Sequence, residues 1–278
     1  MDNYDKNINP FEKLEPDFLK SEKELWDKIE QETSNKTKIK KINLSWVKYV
    51  AAASVVLLIS ITLFMRFYTQ TINTSKGEHL TQTLPDGSGI ELNAETSVTY
   101  NPYWWRFKRE LNFSGEAFFE VAKGKRFTVV SEQGTTTVLG TSFNVYARNA
   151  EYNVYCKTGK VKVASTKFDV KFKITKGELA VIDNQNKAGQ KSVANENELL
   201  AWTQNKFNFT DAPLNKVFQE IERQYDIEIE LQNNIDTLKF GGYFDIPDKP
   251  EQVIGLICVQ FNLKLEKINS KTYKIDRK

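Results

Sequence analysis

Hydrophobic and polar positions change rhythm several times along this chain. Near the start, Leu14, Phe18, Leu25 and Ile29 recur at helical spacing with Trp26 beside them. That spacing predicts an amphipathic helix over 16–31, with Pro16 suited to its first turn. Such a helix is marginal alone in water, so its apolar stripe needs a protein or a membrane surface. From 49 to 65 the rhythm stops. YVAAASVVLLISITLFM carries no charge, with Lys48 before it and Arg66 after. From 79 to about 182 the pattern alternates in short runs such as HLTQTL, GIELNA, ELNFSGEAFFEVA, FTVVSE and YNVYCKTGKVKVAS. Turn residues separate the runs, which predicts an all-β domain of sandwich or rolled-sheet type. From 206 onward helical and strand periods mix. Pro213 opens a helix carrying Leu214, Val217, Phe218, Ile221 and Tyr225 on one face. Asp248 and Glu251 suggest a capping pair for a second helix that buries Val253, Ile254, Ile257 and Phe261. The order β-α-β, β-α-β-β reads as a small α+β module of the split βαβ kind.

The uncharged run decides the topology. Its seventeen residues extend about 25 Å at 1.5 Å each, somewhat short of a ~30 Å hydrocarbon core. Snorkelling by Lys48 and Arg66 extends it, and Trp46, Tyr49, Phe67 and Tyr68 supply interfacial aromatics. A secretory signal would lie nearer the start and end in small residues, whereas here the downstream flank is RFYTQTINTSK. A buried core helix would carry a polar face. A single transmembrane helix is therefore expected over 46–68. Lys36, Lys38, Lys40, Lys41 and Lys48 crowd its N-terminal side, which puts the N-terminus in the cytoplasm and the remainder outside. In a Gram-negative cell that compartment is the periplasm. The expected segments are a cytoplasmic tail (1–45), the span (46–68), a polar linker (69–78), the β domain (79–183), a connector (184–205) and the α+β module (206–278).

Composition narrows the chemistry. A net charge of +3 is too small to argue for nucleic acid, and no basic stripe is interleaved with aromatics. Cys156 and Cys258 fall in different predicted domains and read as buried free thiols. The single histidine, His79, removes any chemistry that needs a His pair. No metal or cofactor is expected. PDGS (85–88) reads as a hairpin turn, since no helix follows whose N-terminus could face a phosphate. Glu116 and Glu120 would share one side of an extended strand, a carboxylate pair without a supporting constellation. The Lys123–Arg126 cluster reads as a solvated turn. Trp104 and Trp105 could pack in the core or stack on a sugar or a partner. Asp236-Thr237-Leu238 matches a short glycosylation pattern.

Three blocks carry a specific resemblance. LPDGSGIELNAETSVTYN, GEAFFEVAKGKRFTV and VLGTSFNVYA occur in that order, and they resemble the periplasmic domain of the FecR family of transmembrane anti-sigma regulators. The block FNFTDAPLNKVFQEIERQYDIEIEL through VIGLICVQFNLKLE resembles the additional C-terminal module of FecR-type proteins from Bacteroidetes. That module is similar to the short N-terminal domain of secretins and TonB-dependent receptors. The resemblance implies a tail that binds an extracytoplasmic-function sigma factor. It also implies periplasmic domains that sense the signalling domain of a TonB-dependent outer-membrane transducer. Family members commonly carry a longer cytoplasmic region, so sigma binding rests here on Phe18, Leu25, Trp26 and Ile29. The alternative reading is a membrane-anchored periplasmic module for carbohydrate or cell wall, without a sigma partner.

The stretch 135–147, TTTVLGTSFNVYA, reads as one buried strand with Gly140 and Thr141 in its middle. Glycine there marks a bulge or a close backbone approach. Some members of the family this chain resembles cleave themselves between a Gly and a Thr in the same setting. In that chemistry the Thr141 hydroxyl would attack the Gly140 carbonyl to give an ester, which water then opens. Packing and self-cleavage both remain open at this stage.

Overall fold

The computed structural model describes residues 21–34, 45–232, 235 and 238–277. It divides into two units, 1–58 and 59–278. In the first, α1 spans Glu22–Ser34. This lies within and just beyond the expected 16–31, of which 16–20, with Phe18, fall outside the described residues. Helix α2 spans Ser45–Phe67, and none of its residues is buried. It is long and apolar enough to cross a membrane.

The β domain contains thirteen strands. They are β1 (Gln70–Thr74), β2 (Leu80–Thr83), β3 (Gly89–Leu92), β4 (Thr96–Tyr100), β5 (Arg109–Glu120), β6 (Phe127–Val130), β7 (Gly134–Val138), β8 (Ser142–Arg148), β9 (Glu151–Cys156), β10 (Lys160–Ser165), β11 (Lys171–Thr175), β12 (Glu178–Asp183) and β13 (Ala188–Val193). The long strand β5 organises them. Its first half pairs with β4 and runs parallel to β6. Its second half pairs with β3 and β8. One sheet therefore reads β1-β4-β5-β6-β7-β10-β11 and the other β2-β3-β5-β8-β9-β12-β13. Gly115 makes the passage between them possible. Its φ is +110°, and a Cβ would lie 2.4 Å from Thr96 Oγ1, so no other residue fits the bend. Both sheets contribute to one core, in which Phe119 stacks on Phe143 and Leu111, Phe127, Tyr152 and Ile182 are fully enclosed. PDGS forms the β2–β3 turn. Arg109, buried on β5, ion-pairs with its Asp86 and donates to the carbonyls of Ala122 and Lys125 at 3.0 and 2.8 Å.

Two expected loops are structured. In the linker over 69–78, Gln70–Thr74 is β1, paired along its whole length with β4. Its polar side chains hid a strand that packs little apolar surface. In the connector over 184–205, Ala188–Val193 is β13, paired with β12. Leu200 and Trp202 then pack on Phe118 and Tyr155, on the face of the second sheet opposite the core.

The C-terminal module follows the order β14 (Lys206–Pro213), α4 (Leu214–Tyr225), β15 (Glu228–Leu231), β16 (Lys239–Asp245), α5 (Pro250–Gln260), β17 (Leu263–Lys267) and β18 (Thr272–Arg277). β14 pairs with β16, while β15 runs parallel to β18 and β17 antiparallel to it. Leu214, Val217, Phe218 and Ile221 of α4 meet Val253, Ile254 and Ile257 of α5 in its core. Pro213 ends β14 and caps α4 from outside the helix. The expected Asp248/Glu251 capping pair does not form. Lys249 holds the cap position, and Glu251 accepts instead from Lys267 and Tyr273. Cys156 and Cys258 are both buried thiols, not joined in a disulfide.

Candidate functional site

Three places carry residues with a claim on function. The first is α1, whose Leu25, Trp26 and Ile29 are 50%, 63% and 47% exposed. Three large apolar side chains this open on one short helix leave it an apolar face exposed among the described residues. These three of the four sequence-predicted contact residues stand together on α1; Phe18 lies outside the described residues.

The second is the Gly140–Thr141 step. The stretch 135–147 is not one strand. β7 ends at Val138 in the first sheet and β8 begins at Ser142 in the second. Leu139–Thr141 is the corner between them, fastened by Val121 N–H to the Thr141 carbonyl and Gly124 N–H to the Leu139 carbonyl, both 2.9 Å. At Gly140 φ is +147°, and a Cβ would stand 2.6 Å from the Lys123 Cα. The glycine is therefore required by close approach as well as by its dihedral. Thr141 is 6% exposed, and its Oγ1 is buried without a hydrogen bond among the described residues. Gly159 lies against its methyl group. An orphaned hydroxyl costs about 1–3 kcal/mol and calls for an explanation. It sits one residue after a glycine held in a conformation that other residues rarely adopt. The step thus combines an unpartnered buried hydroxyl with a glycine that its surroundings require. The sequence located the step but misread its setting, because alternation cannot report a strand that changes sheets.

The third place was missed by sequence reasoning in all but one residue. The polar face of α4 lies against β3, β5 and β8, across the boundary between the β domain and the C-terminal module. Glu116, buried on β5, accepts from Asn93 Nδ2 and Asn144 Nδ2, each at 2.9 Å. Glu220 of α4 pairs with Arg223 at 2.8 Å and accepts from Gln224 at 2.8 Å. Gln224 also donates to Asn93 Oδ1, and its Oε1 accepts from His79 Nε2, both at 2.8 Å. Arg148, buried on β8, donates to the carbonyls of Ala94 and Glu95. Burial, and then the neighbouring Glu220 carboxylate, push the Glu116 carboxyl up to about 6. Burial opposes ionisation of Glu220 too, but Arg223, Gln224 and Arg148 outweigh it and hold that carboxyl below its ordinary value. The paired carboxylates are thus Glu116 and Glu220 from different domains. Glu120, the expected partner of Glu116, is exposed. A cleft of about 270 Å³ opens beside the cluster, lined by Glu116, Asn144, Tyr146, Trp202, Glu220 and Gln224. Among the described residues no group of His, Cys, Asp and Glu is placed to hold a metal. The cluster supplies hydrogen bonds and charge across a domain boundary, with no nucleophile in it. Its only sequence signal was a carboxylate on a strand, on the face that Phe118 shares.

The two tryptophans divide. Trp105 is buried between Tyr100 and Phe127, while Trp104 stays partly open beneath Arg66. The Lys123–Arg126 turn is exposed as expected.

The family model described as FecR protein matches residues 70–162, and that described as FecR, C-terminal, matches 206–275. A 2.50 Å crystal structure of a candidate anti-sigma factor from Parabacteroides distasonis is 29% identical, with a TM-score of 0.69, over 76% of this chain and 100% of that one. A second, at 1.65 Å from the same organism, is 28% identical with a TM-score of 0.69, over 75% and 99% of the respective chains. No protein with a curated description matches.

Proposed function

The chain belongs to the FecR family of anti-sigma regulators, and from that premise we propose that it is a single-pass inner-membrane regulator with its tail in the cytoplasm. In this reading α2 spans the membrane, and the β domain and C-terminal module occupy the periplasm. The lysine excess before α2 supports the orientation. The tail binds an extracytoplasmic-function sigma factor through Leu25, Trp26 and Ile29, with Phe18 extending the face. The periplasmic part receives its signal from the signalling domain of a TonB-dependent outer-membrane receptor. The observation that carries this reading is the union, in one chain, of an open apolar face on α1, an apolar α2 and the two matched family regions. Capture with residues 1–46 tests it. Recovery of a sigma factor is expected, and its loss on Trp26→Ala. Recovery of none would remove the output and favour an anchored carbohydrate- or cell-wall-binding module.

The corner at Gly140–Thr141 supports a second element of the same reading, a self-inflicted nick. Thr141 Oγ1 attacks the Gly140 carbonyl carbon, the C–N bond breaks, and the hydroxyl proton passes to the departing amine. Water then hydrolyses the ester, leaving a Gly140 carboxylate and restoring the Thr141 hydroxyl on a new N-terminus. The proposal draws on the orphaned hydroxyl and the glycine locked against Lys123. Because β8 pairs with β5 and β10 with β7, the two fragments would stay joined through strand pairing. A tagged protein should run as two bands and the Thr141→Ala variant as one. A single full-length band from the unaltered protein rules the nick out.

A further inference from the structure

The loop NPYWWRFK (101–108), between β4 and β5, has divided loyalties. Trp105 points inward and is buried against Tyr100 and Phe127, which fixes the loop to the β domain. Its other aromatics point out. Tyr103 is 49% exposed and Phe107 67%. These rings are not scattered. Tyr103 lies 5.2 Å from the Tyr68 ring and 6.1 Å from Phe64, and Trp104 lies 4.7 Å from Phe107. Arg66 stands over the Trp104 ring at 5.3 Å. Asn101 Nδ2 donates to the carbonyls of Met65 and Arg66, both 2.9 Å, satisfying acceptors that a helix end leaves open. The Asn101 side-chain oxygen in turn accepts from Trp104 N–H at 2.8 Å. The loop is therefore level with the last turn of α2 and bolted to it. Only Tyr68 and Thr69 separate α2 from β1.

We propose that this loop is a second membrane-contacting element, a collar of Tyr103, Trp104 and Phe107 that lies in the lipid headgroup interface around the exit of α2. The inference rests on α2 spanning the bilayer. Its occupant follows from what the loop adjoins. A bilayer that encloses Phe64 and Met65 must also meet side chains packed against Phe64. Aromatic rings with a polar edge, flanked by Arg66, Arg106 and Lys108, have the composition that partitions to that depth. The consequence is mechanical. The β domain is held at the membrane surface, and a force on it reaches the last turn of α2 without a slack tether.

The full-length protein in phosphatidylethanolamine/phosphatidylglycerol liposomes tests this. A diazirine amino acid replaces Val55, Tyr103, Phe107 or Lys187 in turn, and lipid adducts are counted by mass spectrometry after irradiation. Val55 lies in the middle of α2, and Lys187 is an exposed residue of the β12–β13 turn. Adducts are expected at 55, 103 and 107, with the last two about tenfold above 187. Adducts at 55 with only the background of 187 at 103 and 107 overturn the collar and leave the span intact. No adduct at 55 overturns the span and the collar with it.

Discussion

Glu116→Gln examines the clasp between the β domain and the C-terminal module most directly. Glu116 is enclosed, close to the Glu220 carboxylate, and its carboxyl is raised from an ordinary 4.5 to about 6. A carboxyl raised in the folded protein is more stable folded when protonated. Its contribution is therefore complete below about pH 4.5 and is lost as pH rises through about 6. The loss amounts to about 2 kcal/mol between those limits. For a chain of this size that corresponds to about 4–8 °C in Tm. Glutamine keeps the shape and cannot ionise. It also has a ready partner, because Asn144 Oδ1 is buried without a hydrogen bond among the described residues, and a glutamine amide can donate to it. The assay is urea or thermal unfolding of a fragment starting at Gln70, followed from pH 4.5 to 7 for the parent and for Glu116→Gln. The parent should match the variant near pH 4.5 and fall behind it by about 2 kcal/mol at pH 7. Two profiles that run parallel across this window would show that Glu116 ionises at its ordinary pH, and the account of the buried pair would be wrong.

Three further outcomes follow from the same geometry. Gly140→Ala must place a Cβ 2.6 Å from the Lys123 Cα at a φ of +147°. A loss of about 3 kcal/mol or failure to fold is expected, read as yield and Tm. Thr141→Val keeps the side-chain shape and removes the orphaned hydroxyl. It should raise stability by about 1 kcal/mol while abolishing any nick, and a lowered Tm would mean that the hydroxyl has a partner. Arg109→Met strands the Asp86 carboxylate of the β2–β3 turn and the Ala122 and Lys125 carbonyls of the β5–β6 connection. It should cost about 3–5 kcal/mol in urea unfolding, and a cost below about 1 kcal/mol would mean the pair is solvated.

Local pattern was enough for elements whose environment is uniform along their length. An apolar run needs no partner to be recognised, and α2 was legible at both ends. So were the alternating strands with one face in the core, the helices α4 and α5 with their buried stripes, and the PDGS turn. The two cysteines read correctly as buried thiols. What failed locally failed for a common reason. β1 and β13 are polar strands held by backbone pairing with β4 and β12, and backbone hydrogen bonds carry no side-chain signature. The capping pair at Asp248 and Glu251 was drawn off by Lys267 and Tyr273, which only folding brings near.

The sequence by itself determined the order of parts: an amphipathic α1, an apolar α2, a β domain and an α+β module, with Gly140 marked as a place where the backbone must come close to something. Tertiary structure alone decided what that something is. Gly140 meets Lys123 because a chain leaving one sheet for the other must turn tightly beneath the β5–β6 connection. It also decided that Glu116 faces Glu220, 104 residues away, and that Asn101 caps a helix ending at Phe67. Charge and hydrogen-bond pairing act over a few ångströms in space and leave no period in sequence, so contacts of this kind become visible only when the chain has closed on itself.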